Sequence, residues 1–278
     1  MSAKVVKNSS YYSRFQTKLR RRRECKTDYA QRTLLIQQDK TKYGAPKYRL
    51  VSRITNTKVI AQIVVAHLDH DETICQALST ELPKYGIKLG LSNYAAAYAT
   101  GLLVARRFLT KLNLTEVFDK KNDEEEDDER RPFKVILDVG LAHTTTGAKV
   151  FAVMKGAVDG GLFINHNDKR LAGGDDAKAN RHFILGGHVA DYMRKLKKEN
   201  ETAYNRQFSR YIKEGITADQ IEGIYTKAHE AIRAKPEASP KTTNKFGPKK
   251  PQTPKLSFEE KRKLLNERLA AAGLPPRQ

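Results

Sequence analysis

Residues 61–234 of this sequence hold 25 Lys/Arg and 25 Asp/Glu, whereas residues 1–60 hold 16 against 3 and residues 235–278 hold 11 against 4. The formal charge of +20 therefore lies wholly at the two ends. That division limits what the chain can build. A cation buried without a partner is costly, so the balanced middle can fold around a core while the ends stay at the surface as a basic arm and a basic tail. The arm is the more extreme of the two. Arg20, Arg21, Arg22 and Arg23 stand in succession inside "KLRRRRECKTDYAQR", where like charges repel unless a polyanion compensates them. A neutral body with cationic extensions suits a partner of that kind.

Several classes are set aside by composition. No run of about 18 apolar residues is present, so no transmembrane helix is expected. No basic segment followed by an apolar one opens the sequence, so no secretory signal is expected either. A membrane-surface helix would set an apolar face beside its charges. The arm instead interleaves Arg and Lys with Tyr11, Tyr12, Phe15 and Tyr29, the pairing used for phosphate contact and base stacking. The two cysteines, Cys25 and Cys75, form no CxxC pair and cannot supply a four-thiolate zinc site. They are expected as reduced thiols in an intracellular protein.

Along the chain, residues 1–24 lack a periodic apolar face and read as an extended arm or a short helix. "KTDYAQRTLLIQQ" predicts a helix of about three turns, with Asp28 as N-cap, Gln31 three residues on, and a stripe of Ala30, Leu34 and Leu35. "YRLVSRITNTKVIAQIVVAH" predicts a hairpin turning at Asn56-Thr57. Val59, Ala61, Ile63 and Val65 share one face of its second strand. Arg49 and Arg53 share a face of the first, where they either extend the basic surface or are simply solvated. Ser92 is the predicted cap of an alanine-rich helix, "NYAAAYATGLLVARRFLTKL", whose small residues allow close approach to a sheet. "DEEEDDE" (123–129) reads as a solvated loop. "FKVILDVG" and "AKVFAVM" predict two further strands. Three amphipathic helices follow. Val189, Tyr192, Met193 and Leu196 mark the first. Tyr204, Phe208, Tyr211 and Ile212 mark the second. Ile221, Ile224, Tyr225, Ala228 and Ile232 mark the third, capped by Thr217 with Gln220. After a Pro/Lys/Thr linker, Ser257 and Glu260 predict a capping box for a last helix ended by Gly273. The division expected is a basic arm and helix over 1–46, a core over 47–186 with an acidic loop at 119–131, a helical region over 187–234, and a basic linker with a terminal helix over 235–278.

One stretch admits an enzymatic reading. In "LDVGLAHTTTGAKVF" an Asp closes a strand ahead of a Gly/Thr turn, as in the phosphate loops of actin-like ATPases and the metal sites of ribonuclease-H-like nucleases. Asp138 would hold Mg²⁺, with Asp159 as a second carboxylate. The plainer reading is a Thr/Gly turn in which Asp138 is solvated or accepts from turn amides. "HLDH" (His67, Asp69, His70) reads more simply as a polar turn than as a metal site. No cysteine stands near His166, His182 or His188, and no P-loop or nucleophile elbow is present. No metal or other cofactor is expected.

Four segments, "KVVKNSSYYSRFQTKLRRRRECKTDYAQR", "LPKYGIKLGLSNYAAAYATGLLVARR", "GLAHTTTGAKVFAVMKGAVDGGL" and "VADYMRKLKKENETAYNRQFSRYIKEGIT", stand in this order over residues 4–217. In them the chain resembles the eukaryotic protein-five branch of the universal large-subunit ribosomal protein-eighteen family. The resemblance runs to about Pro236. It implies an α/β (mixed α+β) fold, with a small mixed sheet packed on the long alanine-rich helix and no catalytic activity. It implies a protein of the cytoplasmic ribosome with a nuclear, nucleolar assembly phase. The partners implied are 5S rRNA, large-subunit rRNA in the central protuberance, large-subunit protein eleven, and assembly and import chaperones, with no membrane. Carried onto this sequence, Arg14, Lys18, Arg20, Arg21, Arg22, Arg23, Lys26 and Arg32 would neutralise phosphates. Tyr12, Phe15 and Tyr29 would stack on bases or pack the arm's first turn. Lys4, Lys7, Thr27, Lys47, Arg49, Arg53, Lys149 and Lys155 complete the expected RNA-contacting set. The arm is expected to be disordered when free and to fold on binding. Three features depart from the family pattern: the acidic insert at 119–131, the short "LAGGDDAKANRHFILGGHV" segment, and the tail beyond Pro236, which matches only in being basic.

Overall fold

The computed structural model describes residues 7–115, 133–238, 255–273 and 275. The chain divides into two compact units, residues 1–238 and 239–278. The acidic run at 123–129 lies outside the described residues.

The first unit opens with three short helices, α1 (Ser9–Arg14), α2 (Arg20–Arg23) and α3 (Tyr29–Ile36). None of them buries a residue fully. Asp28 caps α3, its carboxylate accepting from the amides of Ala30 and Gln31. The expected stripe is only partly used, because Leu34 is 72% exposed while Leu35 and Ile36 are half-buried.

Strands β1 (Tyr48–Ile54) and β2 (Val59–Ala66) form the hairpin, turning at Asn56-Thr57 as the sequence predicts. β3 (Asp71–Leu78) adds to β2, and the turn between them carries His67, Asp69 and His70. Next comes α4 (Tyr94–Lys111). Its cap is Asn93 rather than Ser92, since the Asn93 side chain accepts from the amide of Ala96. β4 (Ile136–Asp138) lies parallel to β1, giving a mixed four-stranded sheet in the order β3-β2-β1-β4.

The second predicted strand after the acidic run is instead a helix, α5 (Lys149–Asp159). Val150, Val153, Met154, Ala157 and Val158 are all buried. They recur at the three- and four-residue spacing of a helix face. Over "AKVFAVM" alone the same apolar residues also fit a short strand. The small residues of α4 serve α5 more than the sheet. A methyl group at Gly101 would run into the carbonyl oxygen of Val153, and one at Gly156 into that of Tyr98. The sheet packs on another side of α4, where the Cys75 thiol donates to the Val104 carbonyl at 3.8 Å. Leu50, Val59, Ala61 and Ile63 fill the core between them.

Beyond α5 lie α6 (Ala177–Ile184), a helix that the sequence pattern does not announce, and α7 (Gly187–Glu199). The second predicted amphipathic helix is broken at Phe208 into α8 (Glu201–Gln207) and α9 (Ser209–Lys213). α10 (Gln220–Ala234) buries Ile221, Tyr225, Ala228 and Ile232. Its N-cap is Asp219. Thr217 keeps half of the expected box by donating its amide to Gln220 Oε1 at 3.1 Å. The second unit holds α11 (Phe258–Ala271), with the Ser257/Glu260 capping box in place and Gly273 left-handed behind it.

Candidate nucleic-acid interface

Between residues 7 and 32 stand nine Lys/Arg and two Asp/Glu. One of the two acids, Asp28, serves as the cap of α3. The other, Glu24, is held between Arg20 Nε at 3.0 Å and Lys26 Nζ at 2.7 Å. Hydrogen bonds from Lys26 and then Arg20 keep its carboxyl below the usual range. Apart from Arg32, the remaining arginine side-chain bonds in the arm go to neutral acceptors. Arg21 donates to Thr27 Oγ1, Arg23 to the Lys18 carbonyl and Arg14 to the Ser10 carbonyl. Such bonds orient a guanidinium without cancelling its charge.

The four arginines of α2 occupy one helical turn. Successive residues are rotated by roughly 100°, so four of them spread over about 300° of the circumference. They cannot all meet one flat surface, and a groove or two backbones suits them better. All four are exposed, as are Lys7, Lys18 and Lys26. Cys25 ends the turn in a left-handed conformation (φ 51°), which lets the Lys26 amide reach the Arg21 carbonyl at 3.0 Å. Aromatic surface lies alongside. Tyr12 is 63% and Phe15 56% exposed. Tyr11 stands against both, with ring centroids 5.3 and 5.7 Å away. Tyr29 is half-buried at the start of α3. Lys4 lies outside the described residues.

The arginines of β1 sit differently. Arg49 is 2% exposed and meets Asp138 Oδ2 at 2.9 Å and Asp71 Oδ2 at 3.2 Å. Arg53 bonds Asp138 Oδ1 at 2.9 Å and the Asp138 carbonyl at 2.9 Å. Arg49 is thus neither solvated nor part of a basic surface: its charge is spent within the protein. Arg53, with a side chain 37% exposed, is half spent. Asp71 also takes both Nη atoms of Arg32, at 2.6 and 2.7 Å. A continuous ladder therefore runs Arg32–Asp71–Arg49–Asp138–Arg53. It crosses the sheet on the face opposite Leu50, because side chains alternate along β1. The Arg32 fork, and secondarily Arg49, hold the Asp71 carboxyl low.

This arrangement also overturns the metal reading of Asp138. Its oxygens accept from Arg49, Arg53 and the Gly140 amide, and cations of the protein already occupy the place Mg²⁺ would need. The turn-amide expectation is met by Gly140, while the solvated one is not, since Asp138 is 5% exposed. Asp159 accepts from the Tyr98 hydroxyl at 2.8 Å and from Lys155 Nζ at 3.0 Å. Lys155 is accordingly half-buried and paired. Lys47 donates to the Gln37 carbonyl at 2.7 Å, and Lys149 is exposed at the start of α5. No cluster of three potential metal ligands occurs among the described residues.

Asp71 is not among the residues that the sequence singles out. The signal was present: two arginines on one face of a strand beside a hydrophobic run call for carboxylates, and Asp71 opens the strand two places away. What was lacking was the pairing that brings it opposite Ala66.

Residues 13–167 match the family model "Ribosomal large subunit proteins 60S L5, and 50S L18", and residues 221–273 match "Ribosomal L18 C-terminal region", so the tail beyond Pro236 matches in sequence and not only, as expected, in being basic. Among curated proteins, the large ribosomal subunit protein uL18 of Dictyostelium discoideum is 53% identical, covering 87% of this chain and 88% of its own. That of Drosophila melanogaster is 51% identical, covering 95% and 91%. That of Styela clava is 48% identical, covering 96% of each.

Proposed function

Because the chain belongs to the family of large-subunit ribosomal proteins 60S L5 and 50S L18, we propose that it is the protein through which 5S rRNA is held in the large subunit. Its role is structural and not enzymatic. It clasps 5S rRNA with the basic arm and docks it to large-subunit rRNA in the central protuberance, beside large-subunit protein eleven. It works on the cytoplasmic ribosome after an assembly phase in the nucleus and nucleolus, where import and assembly chaperones shield the arm.

The observation that carries this reading is the excess of exposed, uncancelled charge on residues 7–32, set beside the exposed rings of Tyr12 and Phe15. Arginine forks bond phosphate oxygens in pairs and stay charged. Each phosphate they neutralise releases condensed counterions, which offsets the mutual repulsion of Arg20–Arg23. Lys7, Arg14, Lys18, Arg20–Arg23 and Lys26 form the phosphate-contacting set, with Tyr12 and Phe15 stacking on unpaired bases. Arg49 is excluded from that set, and Lys155 and Arg53 are secondary to it.

Filter binding of the full chain to 5S rRNA, against an unrelated structured RNA of equal length, tests the proposal. Tighter binding to 5S rRNA at physiological salt is expected. Equal affinity for both RNAs would overturn the assignment to 5S rRNA.

A further inference from the structure

The Arg32–Asp71 pair is the one side-chain ion pair that ties the described arm to the sheet. Among the described residues, α1 and α2 bond only to residues within residues 7–32. The pair is bidentate, with both partners about one-third exposed. Its carboxylate is also anchored from below by the buried Arg49, which is fixed in turn by Asp138. An isolated surface pair contributes little. A fork seated on a carboxylate that two packed strands already hold has lost less freedom in forming.

We propose that Asp71 is a positioning residue for RNA binding: it clamps α3 to the sheet and so presents the arm in its binding orientation. This rests on the reading of the arm as the RNA contact. The clamp makes a prediction that simple electrostatics reverses. Asp71 is an acid within a basic region, so removing its charge should tighten binding to a polyanion if charge alone matters. If Asp71 acts by holding the arm, its loss weakens binding, because the arm must then be ordered at the moment of association. In this view Arg32 serves through its grip on Asp71 and not by meeting phosphate.

The test uses the full chain and 5S rRNA, comparing wild type with Asp71→Asn and Arg32→Lys. The second variant keeps the charge and the buried Arg49–Asp71 contact while losing the fork, so it remains informative if the first is unstable. Both are expected to bind roughly 5-fold more weakly, equivalent to about 1 kcal/mol, with the slope of log K against log salt unchanged. Without RNA, trypsin should cut at residues 20–23 faster in both, and Asp71→Glu should recover part of the affinity. Wild-type affinity or tighter binding in Arg32→Lys and Asp71→Asn would overturn the clamp and leave the RNA reading standing. Absence of salt-dependent binding in the wild type would overturn the RNA reading, and the clamp's role with it.

Discussion

Arg49 and Asp138 stand 89 residues apart in the chain and meet at 2.9 Å, with side chains only 3% and 8% exposed. A buried pair of this kind adds little over an apolar replacement, but breaking it strands a charge. Asp138→Ala would leave Arg49 with Asp71 alone and Arg53 without its carboxylate. The variant should lose about 3 kcal/mol of unfolding free energy, at the lower end for a broken buried pair. Urea unfolding followed by circular dichroism reads this directly, and a loss below about 1 kcal/mol would mean solvent reaches the ladder.

The arm should behave in the opposite way. Replacing Arg20–Arg23 with alanine removes no buried residue, so the urea midpoint should stay where it is. RNA affinity should fall, and the slope of log K against log salt should flatten by up to about three units, at roughly 0.7–0.9 per phosphate released. An unchanged slope would place the run away from the RNA.

These two cases show what could be read in advance. The exposure of Arg20–Arg23 follows from local composition: no periodic apolar face runs through residues 7–24 that could seat the run against a core. The burial of Arg49 depends on Asp138 and Asp71, brought to it by sheet order, and no local pattern announces that. The same division runs through the fold. The 59–65 alternation and the Ser257/Glu260 box are local signals, and both are found where expected. The 149–159 segment carried two periodicities at once, and the choice was made by α4, whose Gly101 admits a helix backbone. Tertiary contact decides where local preference is divided.

Gly101 offers a test of that close approach. In an open helix Gly→Ala is stabilising by about 1 kcal/mol. At Gly101 the new methyl meets the Val153 carbonyl, so the helices must part, and Gly101→Ala should cost at least about 2 kcal/mol. Gly223 in α10 has nothing within 4 Å of the same position, and Gly223→Ala should be neutral or stabilising by up to about 1 kcal/mol. Urea midpoints moving in opposite directions would support the packing; a stabilising Gly101→Ala would refute it.

His229 supplies a pH dependence. Its ring lies 5.1 Å from that of Tyr98 and 6.3 Å from that of Tyr225. Burial, and then the nearby Arg233, push its pKa down to about 4, with Asp159 opposing them weakly. An unfolded imidazole takes up its proton near 6.5. Between these two values the unfolded chain binds more protons than the folded one, so stability falls as pH drops from about 6.5 toward 4 and is complete above that window. The loss attributable to this group is at most about 3 kcal/mol. His188, lowered by its own burial, acts in the same direction. Asp71 acts elsewhere, since the Arg32 fork moves its titration below the ordinary carboxylate range. Urea midpoints at pH 7 and pH 5 should therefore differ more for the wild type than for His229→Gln, which keeps a neutral polar side chain at every pH. Equal differences in the two proteins would show that His229 takes up its proton as readily in the folded chain as in the unfolded one.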